Sequence, residues 1–349
     1  MTAPQRPLAA PEEIAARAGQ QAIPRLHLPA RTGLFVERAT RLRELAAAHP
    51  LRDFLLFTAE LAGAQHELLS AHPAVTLPGP EALQSAAQAD RPPLPAALWP
   101  RDPQWRLGLR GMVEHLLSRL APGQAADAVR AVGGLDDDAI ERQADRLLRG
   151  MMQGLDMAAA PVVAAGLQAY WAHLVIATAE AGAPDGTGPF LPGADPAACP
   201  CCGSAPVASV VRMDPGSGAH RYLACSLCPA QWHMVRIKCS RCQSTKGIRY
   251  RSLAPVAPDD PATVAHPRSG IEAETCDICG HYLKIVRVER DPSVEPVADD
   301  LASLSLDLLV SEAGFQRHGV NLMLLFGDPD GDPGGDPEGG ATATGQGRV

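Results

Sequence analysis

The chain has 349 residues, 46% of them hydrophobic and only 4% aromatic, with a formal net charge of −8. Its length allows two domains with a sizeable core, and its longest apolar run, Val162 to Ala177, carries Gln168 and His173 and falls short of the roughly 20 residues a membrane span needs, so a core helix is expected and not a membrane span. The charge is uneven: residues 199 to 290 hold twelve Lys/Arg against seven Asp/Glu, and residues 291 to 349 hold two against eleven.

Residues 1 to 30 are rich in Ala and Pro and read as a loose arm. Met1 to Arg25 has neither a continuous apolar region nor a twin-arginine pair, so no signal peptide is expected and the cytoplasm is the expected compartment. From residue 31 to 182 the pattern is helical. Phe35, Ala39, Leu42 and Ala46 recur at the spacing of an amphipathic helix that Pro50 ends. Phe54, Thr58, Leu61, Gln65 and Leu68 mark a second helix, with Gln65 read as a buried amide satisfied among the helices. A Pro-rich connection from His72 to Pro100 leads to Asp102 as N-cap and Pro103 as first helical residue, followed by the stripe Trp105, Leu109, Met112, Leu116 and Leu120. The next helix opens with Asp136, Asp137 and Asp138 and closes with Arg146 and Arg149, the charge order that complements a helix dipole. A last helix begins at Pro161 and runs through Val163, Leu167, Tyr170 and Leu174. Five amphipathic helices joined by Pro-rich loops predict a helical bundle, and residues 183 to 198, rich in Gly, Pro and Asp, a linker.

Eight of the nine cysteines then fall into four C-x-x-C pairs: Cys199/Cys202, Cys225/Cys228, Cys239/Cys242 and Cys276/Cys279. Two such knuckles complete a tetrahedral four-thiolate site, so four predict two metal ions, and a reducing cytoplasm disfavours disulfides. The segment repeats knuckle, strand and knuckle: Val207 to Met213 and His220 to Leu223 flank a turn in the first copy, and Gly247 to Leu253 and a longer loop follow in the second. Sequential grouping is therefore expected, with Cys199, Cys202, Cys225 and Cys228 on one ion in a module spanning 199–237. Cys239, Cys242, Cys276 and Cys279 hold the other in a module spanning 238–290. Cys201 points away from the first ion as a free thiol. Each module has too few large apolar residues for a core, so the ion should supply much of its folding energy, roughly 10 kcal/mol or more. Both iron and zinc accept this geometry. Four thiolates around a divalent ion leave −2 per site, which offsets most of the basic excess and speaks against nucleic-acid binding.

Trp232 to Lys238 alternate like a strand joining the modules. Trp232 is read first as a wedge between them; with Arg236 and Lys238 it is also a candidate for contacting a partner. His233 is read as a non-ligand. Val297, Leu301, Leu304, Leu308 and Phe315 form another helical stripe within a segment spanning 291–326, with Asp299 and Asp300 as dipole partners in its first turn. From 327 to 349 the repeated Gly-Asp-Pro composition predicts a disordered tail.

The stretches CPCCGSAPVASVV (199–211), RYLACSLCPAQWHMVRIKCSRC (221–242), AETCDICGHYLKIV (273–286) and DPSVEPVADDLASLSLD (291–307), with RATRLRELAAAHPL (38–51) and LAGAQ (61–65), resemble the formate dehydrogenase accessory protein FdhE family. The resemblance implies a multidomain α+β protein: a helical domain followed by two tandem rubredoxin-like, or zinc-ribbon-like, modules and a C-terminal helix. It also implies a cytoplasmic protein needed for active formate dehydrogenase, acting by contact with the catalytic subunit. Cys201 departs from the family pattern, where a non-cysteine residue is usual. No nucleophile, base or phosphate loop stands out, so the expectation is an accessory protein and not an enzyme. The competing classes are a rubredoxin-like one-electron carrier and, less well supported, a zinc-ribbon nucleic-acid binder. A homo-oligomer stays open.

Overall fold

The structure, a computed structural model, describes residues 23–182, 188–191, 193, 195–214, 218–253 and 270–325. Most of the predicted arm, part of the linker, the turn at 215–217, the longer loop at 254–269 and the tail lie outside the described residues. A short strand, β1 (Leu26–His27), precedes seven helices: α1 (Leu34–Ala46), α2 (Arg52–Ser70), α3 (Pro80–Gln88), α4 (Gln104–Arg119), α5 (Gln124–Gly133), α6 (Asp137–Arg149) and α7 (Ala160–Ala181).

Five of these helices are the ones the periodicity predicts. The other two, α3 and α5, leave little pattern to read: α3 buries none of its residues, and α5 buries only Ala126, Val129 and Val132 in ten residues. The predicted signals act locally where they were read. Asp136 accepts from the Ala139 N–H at 2.7 Å to cap α6, and Gly150 closes that helix at φ +67°, a conformation glycine adopts without a Cβ clash. Asp102 accepts from the Gln104 N–H at 3.0 Å, but the cap falls one residue later than expected: Pro103 is the N-cap and α4 begins at Gln104. Helix α7 is buried along its length and packs against α2, α4, α5 and α6. Among the described helices it alone is long and apolar enough to cross a membrane, and here it is apolar because protein surrounds it.

The rest of the chain builds one sheet from β1, β2 (Pro206–Asp214), β3 (Gly218–Cys225), β4 (Gln231–Met234), β5 (Ile248–Arg251), β6 (Ile271–Cys276), β7 (His281–Arg287) and β8 (Gln316–Arg317). The strand order is β1-β4-β3-β2-β7-β6-β5, with β8 on β7. The repeat read from the cysteines is thus two antiparallel three-stranded units, β2-β3-β4 and β5-β6-β7. They are fused through a parallel join of β2 to β7, with Ser209 opposite Ile285 and Val210 opposite Val286. Leu26 and His27, placed in the arm by composition, extend the sheet by pairing with Trp232 and Gln231.

Three expectations are corrected. The stretch after Trp232 does not join the modules as a strand: β4 stops at Met234 and lies on the outer side of β3. Trp232 therefore cannot wedge between the modules; its indole N–H donates to the Pro196 carbonyl at 2.9 Å instead. The stripe from Val297 to Phe315 is not one helix but two, α8 (Pro296–Ala302) and α9 (Leu304–Glu312), broken at Ser303. The break turns Leu308 outward and buries Leu306 and Val310. Strands β6 and β7 escaped the pattern because β6 alternates Ile271, Ala273 and Thr275 with Glu272 and Glu274 over only six residues, with few large apolar side chains, and Lys284 and Arg287 interrupt the apolar run of β7. All four charges are ion-paired in the fold. One of these pairs ties the two units together: Arg221, fully buried on β3, reaches Glu274 on β6 at 2.8 Å and donates to the Lys238 carbonyl at 2.7 Å.

Candidate metal centres

The four knuckles stand at equivalent places in the two units. Cys199 and Cys202 precede β2 and Cys225 ends β3, with Pro206 opposite Cys225; Cys239 and Cys242 precede β5 and Cys276 ends β6, with Ile248 opposite Cys276. Each hairpin therefore brings its own two knuckles together, and the cysteines gather in the sequential groups expected. The Sγ atoms of Cys199, Cys202, Cys225 and Cys228 lie within 4.8 Å of one another, as do those of Cys239, Cys242, Cys276 and Cys279.

The spacings fit an ion and not disulfides. Cys199 and Cys228 sulfurs are 3.5 Å apart and Cys202 and Cys225 3.4 Å; in the second group Cys239–Cys279 and Cys242–Cys276 are each 3.7 Å. Metal–sulfur bonds of about 2.3 Å in a tetrahedron require sulfur–sulfur edges of about 3.8 Å, whereas a disulfide needs about 2.05 Å.

The backbone shapes each knuckle to that purpose. Gly203, Gln243 and Gly280, each directly after a second knuckle cysteine, take φ of +75°, +63° and +67°. Their N–H groups close back on the carbonyls of Cys199, Cys239 and Cys276 at 2.8, 3.1 and 2.9 Å. Pro229 follows the remaining knuckle and has no N–H to donate. Backbone N–H groups also point at sulfur: Leu227 and Cys228 donate to Cys225 at 3.3 and 3.4 Å, and Arg241 and Cys242 to Cys239 at 3.4 and 3.5 Å. Such donors orient a thiolate and disperse its charge.

Burial pushes the thiols of Cys225 and Cys228 well up. At Cys199 hydrogen bonds from neighbouring thiols outweigh burial and hold it well below its ordinary value. In the second group burial pushes Cys239 up to about 12, while the exposed Cys242 is drawn down, chiefly by the Ser244 backbone N–H. The charge that crowds four buried sulfurs is what a divalent ion would neutralise.

Cys201 is fully buried and stays outside the four-sulfur group. Contrary to expectation it does not point away from the ligands: its thiol hydrogen-bonds those of Cys199 and Cys228, and burial pushes it well up, as befits a neutral thiol. His233 belongs to neither group: its ring meets Tyr222 and His220 edge-on, and burial, then His220, lowers its pKa. Of the candidate partner residues, Trp232 is only 5% exposed and lines a cleft of about 270 Å³ with Arg25, Phe190 and Asp195. Arg236 is exposed and Lys238 half-buried beyond the end of β4.

Gln168, read only as an interruption of an apolar run, proves to bracket the first centre. Its side-chain N–H donates to the Ser226 carbonyl, inside the second knuckle, at 2.7 Å, while its oxygen accepts from Gln65 at 3.0 Å and Arg38 at 3.3 Å. A polar residue amid apolar ones was the signal for it.

Fold and sites together define a mixed helix-and-sheet protein with two four-thiolate metal-binding sites. The family profiles described as FdhE N-terminal, central and C-terminal domains match residues 23–183, 198–236 and 237–324. The chain belongs to the FdhE family. It is 38% identical to the protein FdhE homolog of Pectobacterium atrosepticum over 83% of this chain and 87% of that one. To the homolog of Serratia proteamaculans it is 38% identical over 88% and 93%. The crystal structure of the FdhE protein from Pseudomonas aeruginosa is similar at a TM-score of 0.72 and 34% identity, covering 87% of this chain and all of that one.

Proposed function

We propose that this protein is a cytoplasmic, metal-binding accessory protein that binds the catalytic subunit of a formate dehydrogenase, is needed for its activity, and is not itself an enzyme. The observation that carries the reading is the pair of complete four-sulfur sets on a chain of the FdhE family. A four-thiolate ion has no open coordination position for a substrate, which favours a recognition role over hydrolytic chemistry. The eight cysteines would hold two ions, iron or zinc, in two rubredoxin-like modules. When bound, an ion supplies a tetrahedral anchor that closes each hairpin. Arg236 and Lys238 are the candidate contacts to the client, with Trp232, in the cleft beside Pro196, as a third. Nucleic acid is not the expected partner, since the basic residues balance the thiolate sites.

A second reading, a one-electron carrier, is favoured by one observation: Cys242 is exposed, which would bring an iron ligand to the surface. Zinc cannot change oxidation state, so reconstitution separates the two. In cells lacking this protein the formate dehydrogenase polypeptide should still be made but show little activity. The zinc-loaded protein should bind the purified catalytic subunit and restore activity. Restoration by the iron form alone would replace the accessory reading with electron transfer.

A further inference from the structure

The two centres share a ligand pattern but not their surroundings. In the first, all four ligands are at most 1% exposed, and the helical half grips the knuckles directly. The Leu94 N–H donates to the Cys201 carbonyl at 3.0 Å, the Ala96 N–H to the Cys202 carbonyl at 2.9 Å, and Gln168 to the Ser226 carbonyl at 2.7 Å. Pro92 fills the space beside Gly203, 3.2 Å from where a Cβ would stand. A small molecule cannot reach these sulfurs unless the sheet and the helices part.

The second centre is open. Cys242 is exposed and Cys279 half-buried, one ligand from each knuckle. Arg241 is exposed between Cys239 and Cys242, and Ile278, between Cys276 and Cys279, is 63% exposed. The backbone bonds around this centre include Ser244 accepting from Cys239 at 2.8 Å, the Gly247 carbonyl accepting from Asp277 at 2.9 Å and the Gly280 carbonyl accepting from Gln316 of β8 at 2.8 Å, and His318 bonds the Ser240 backbone. Exchange of a thiolate-bound ion requires an incoming donor to approach and a protein sulfur to swing away. Its rate therefore follows access and the ease of local opening.

We infer that the two sites are unequal in kind: the first is a permanent structural centre that fastens the sheet to the helices, and the second exchanges its ion with small chelating ligands through Cys242 and Cys279. The inference rests on the reading of both clusters as metal sites. Exchange moves the ion as a divalent cation from four protein thiolates to the incoming ligand, with no change of oxidation state.

The test uses the full chain loaded anaerobically with zinc. Fewer than two zinc ions per chain would overturn the metal reading itself. With two bound, challenge with the chromogenic chelator 4-(2-pyridylazo)resorcinol should release one ion fast and one slowly, with rates at least about tenfold apart. The variant Cys242→Ser should lack the fast phase and keep the slow one. Two ions leaving together, or a fast phase that survives in Cys242→Ser, would overturn the inequality alone. Independently of any variant, N-ethylmaleimide treatment of the zinc-loaded wild type, mapped by mass spectrometry, should modify Cys242 and Cys279 before Cys199, Cys202, Cys225 or Cys228. The reverse order also overturns it.

Discussion

Asp299 and Asp300 are neighbours on α8, yet their carboxylates hold opposite halves of the protein. Asp299 accepts from Arg41 of α1 at 2.7 and 3.0 Å, while Asp300 accepts from Arg317 and Asn321 at 2.8 Å and pairs with Lys284 of β7 at 3.3 Å. Successive residues on a helix point about 100° apart, so an adjacent acidic pair can serve two surfaces at once. Glu295 adds a further tie to the helices through Arg38 at 3.0 Å. A reading of both as dipole partners in the first turn holds for the place of Asp299 alone; Asp300 lies beyond that turn. Their burial makes them the bolt between the helical and metal-binding halves.

The two aspartates should differ in cost when removed. Asp300→Ala removes one of the two carboxylates shared by Lys284 and Arg317, leaving both cations to Asp307 alone, with the Lys284 side chain only 1% exposed, and takes the Asp300 acceptor from Asn321. Removing one partner of a buried ion pair costs about 3–5 kcal/mol. Asp299→Ala should cost about 1–2 kcal/mol, because Arg41 retains Asp291 at 2.7 Å and some solvent. Urea unfolding of both variants at fixed metal content checks the order, and equal losses would show that α8 is not held more tightly on its sheet side.

Gln168→Leu keeps the volume of a side chain at the heart of α7 but strands the Ser226 carbonyl and leaves the Gln65 amide with the Ala165 carbonyl alone. Buried polar groups left unpaired cost about 1–3 kcal/mol each. The loss should appear first as faster amide hydrogen exchange at Leu227 and Cys228, with two ions still bound. Unchanged exchange there would mean that Gln168 does not brace the knuckle.

What the sequence made legible follows from how local each signal is. The knuckle spacing, the hairpin repeat and the Asp136 cap are short-range, and the structure places Cys199 with Cys228 and Cys239 with Cys279 as that spacing implies. Strands β6 and β7 were hidden because their charges are buried against partners distant in the chain, as Glu274 is against Arg221. Nothing in a periodicity argument can pair residues 53 positions apart. The fusion of the two units by β2 and β7 is likewise a non-local pairing that neither strand announces.

Cys201→Ser tests how closely the first centre tolerates its extra thiol. Cys201 lies outside the four-sulfur group, so metal content should stay at two ions per chain. Stability should fall by about 1 kcal/mol, because a hydroxyl is harder than a thiol to bury where Cys201 has no exposure. Cys199→Ser, by contrast, should halve the metal content. Loss of an ion from Cys201→Ser would show that this thiol can enter the coordination sphere.

His173 should make the helical half sensitive to mild acid. Burial, then the His72 ring stacked on it at 4.1 Å and the Arg31 guanidinium 3.2 Å from its Nδ1, lower its pKa to about 4 from an ordinary 6.5. Arg31 is itself paired with Glu180 and His72 lies near Asp102, but neither carboxylate reverses the shift. Above pH 6.5 the imidazole is neutral in both folded and unfolded chains, so it contributes no pH dependence. Below that, the unfolded chain takes up a proton that the folded one refuses, and stability falls until the folded ring also protonates near pH 4. Discounted for partial solvation, the effect amounts to about 2 kcal/mol. His173→Gln removes the titration while keeping an acceptor for Arg31. The stability of wild type relative to this variant, measured by urea unfolding, should therefore be constant above about pH 7 and drop by about 2 kcal/mol by pH 4.5. Proton competition for the cysteine ligands affects both proteins alike and cancels in the difference. A difference that stays flat across that range would show that His173 titrates in the fold as it does in water.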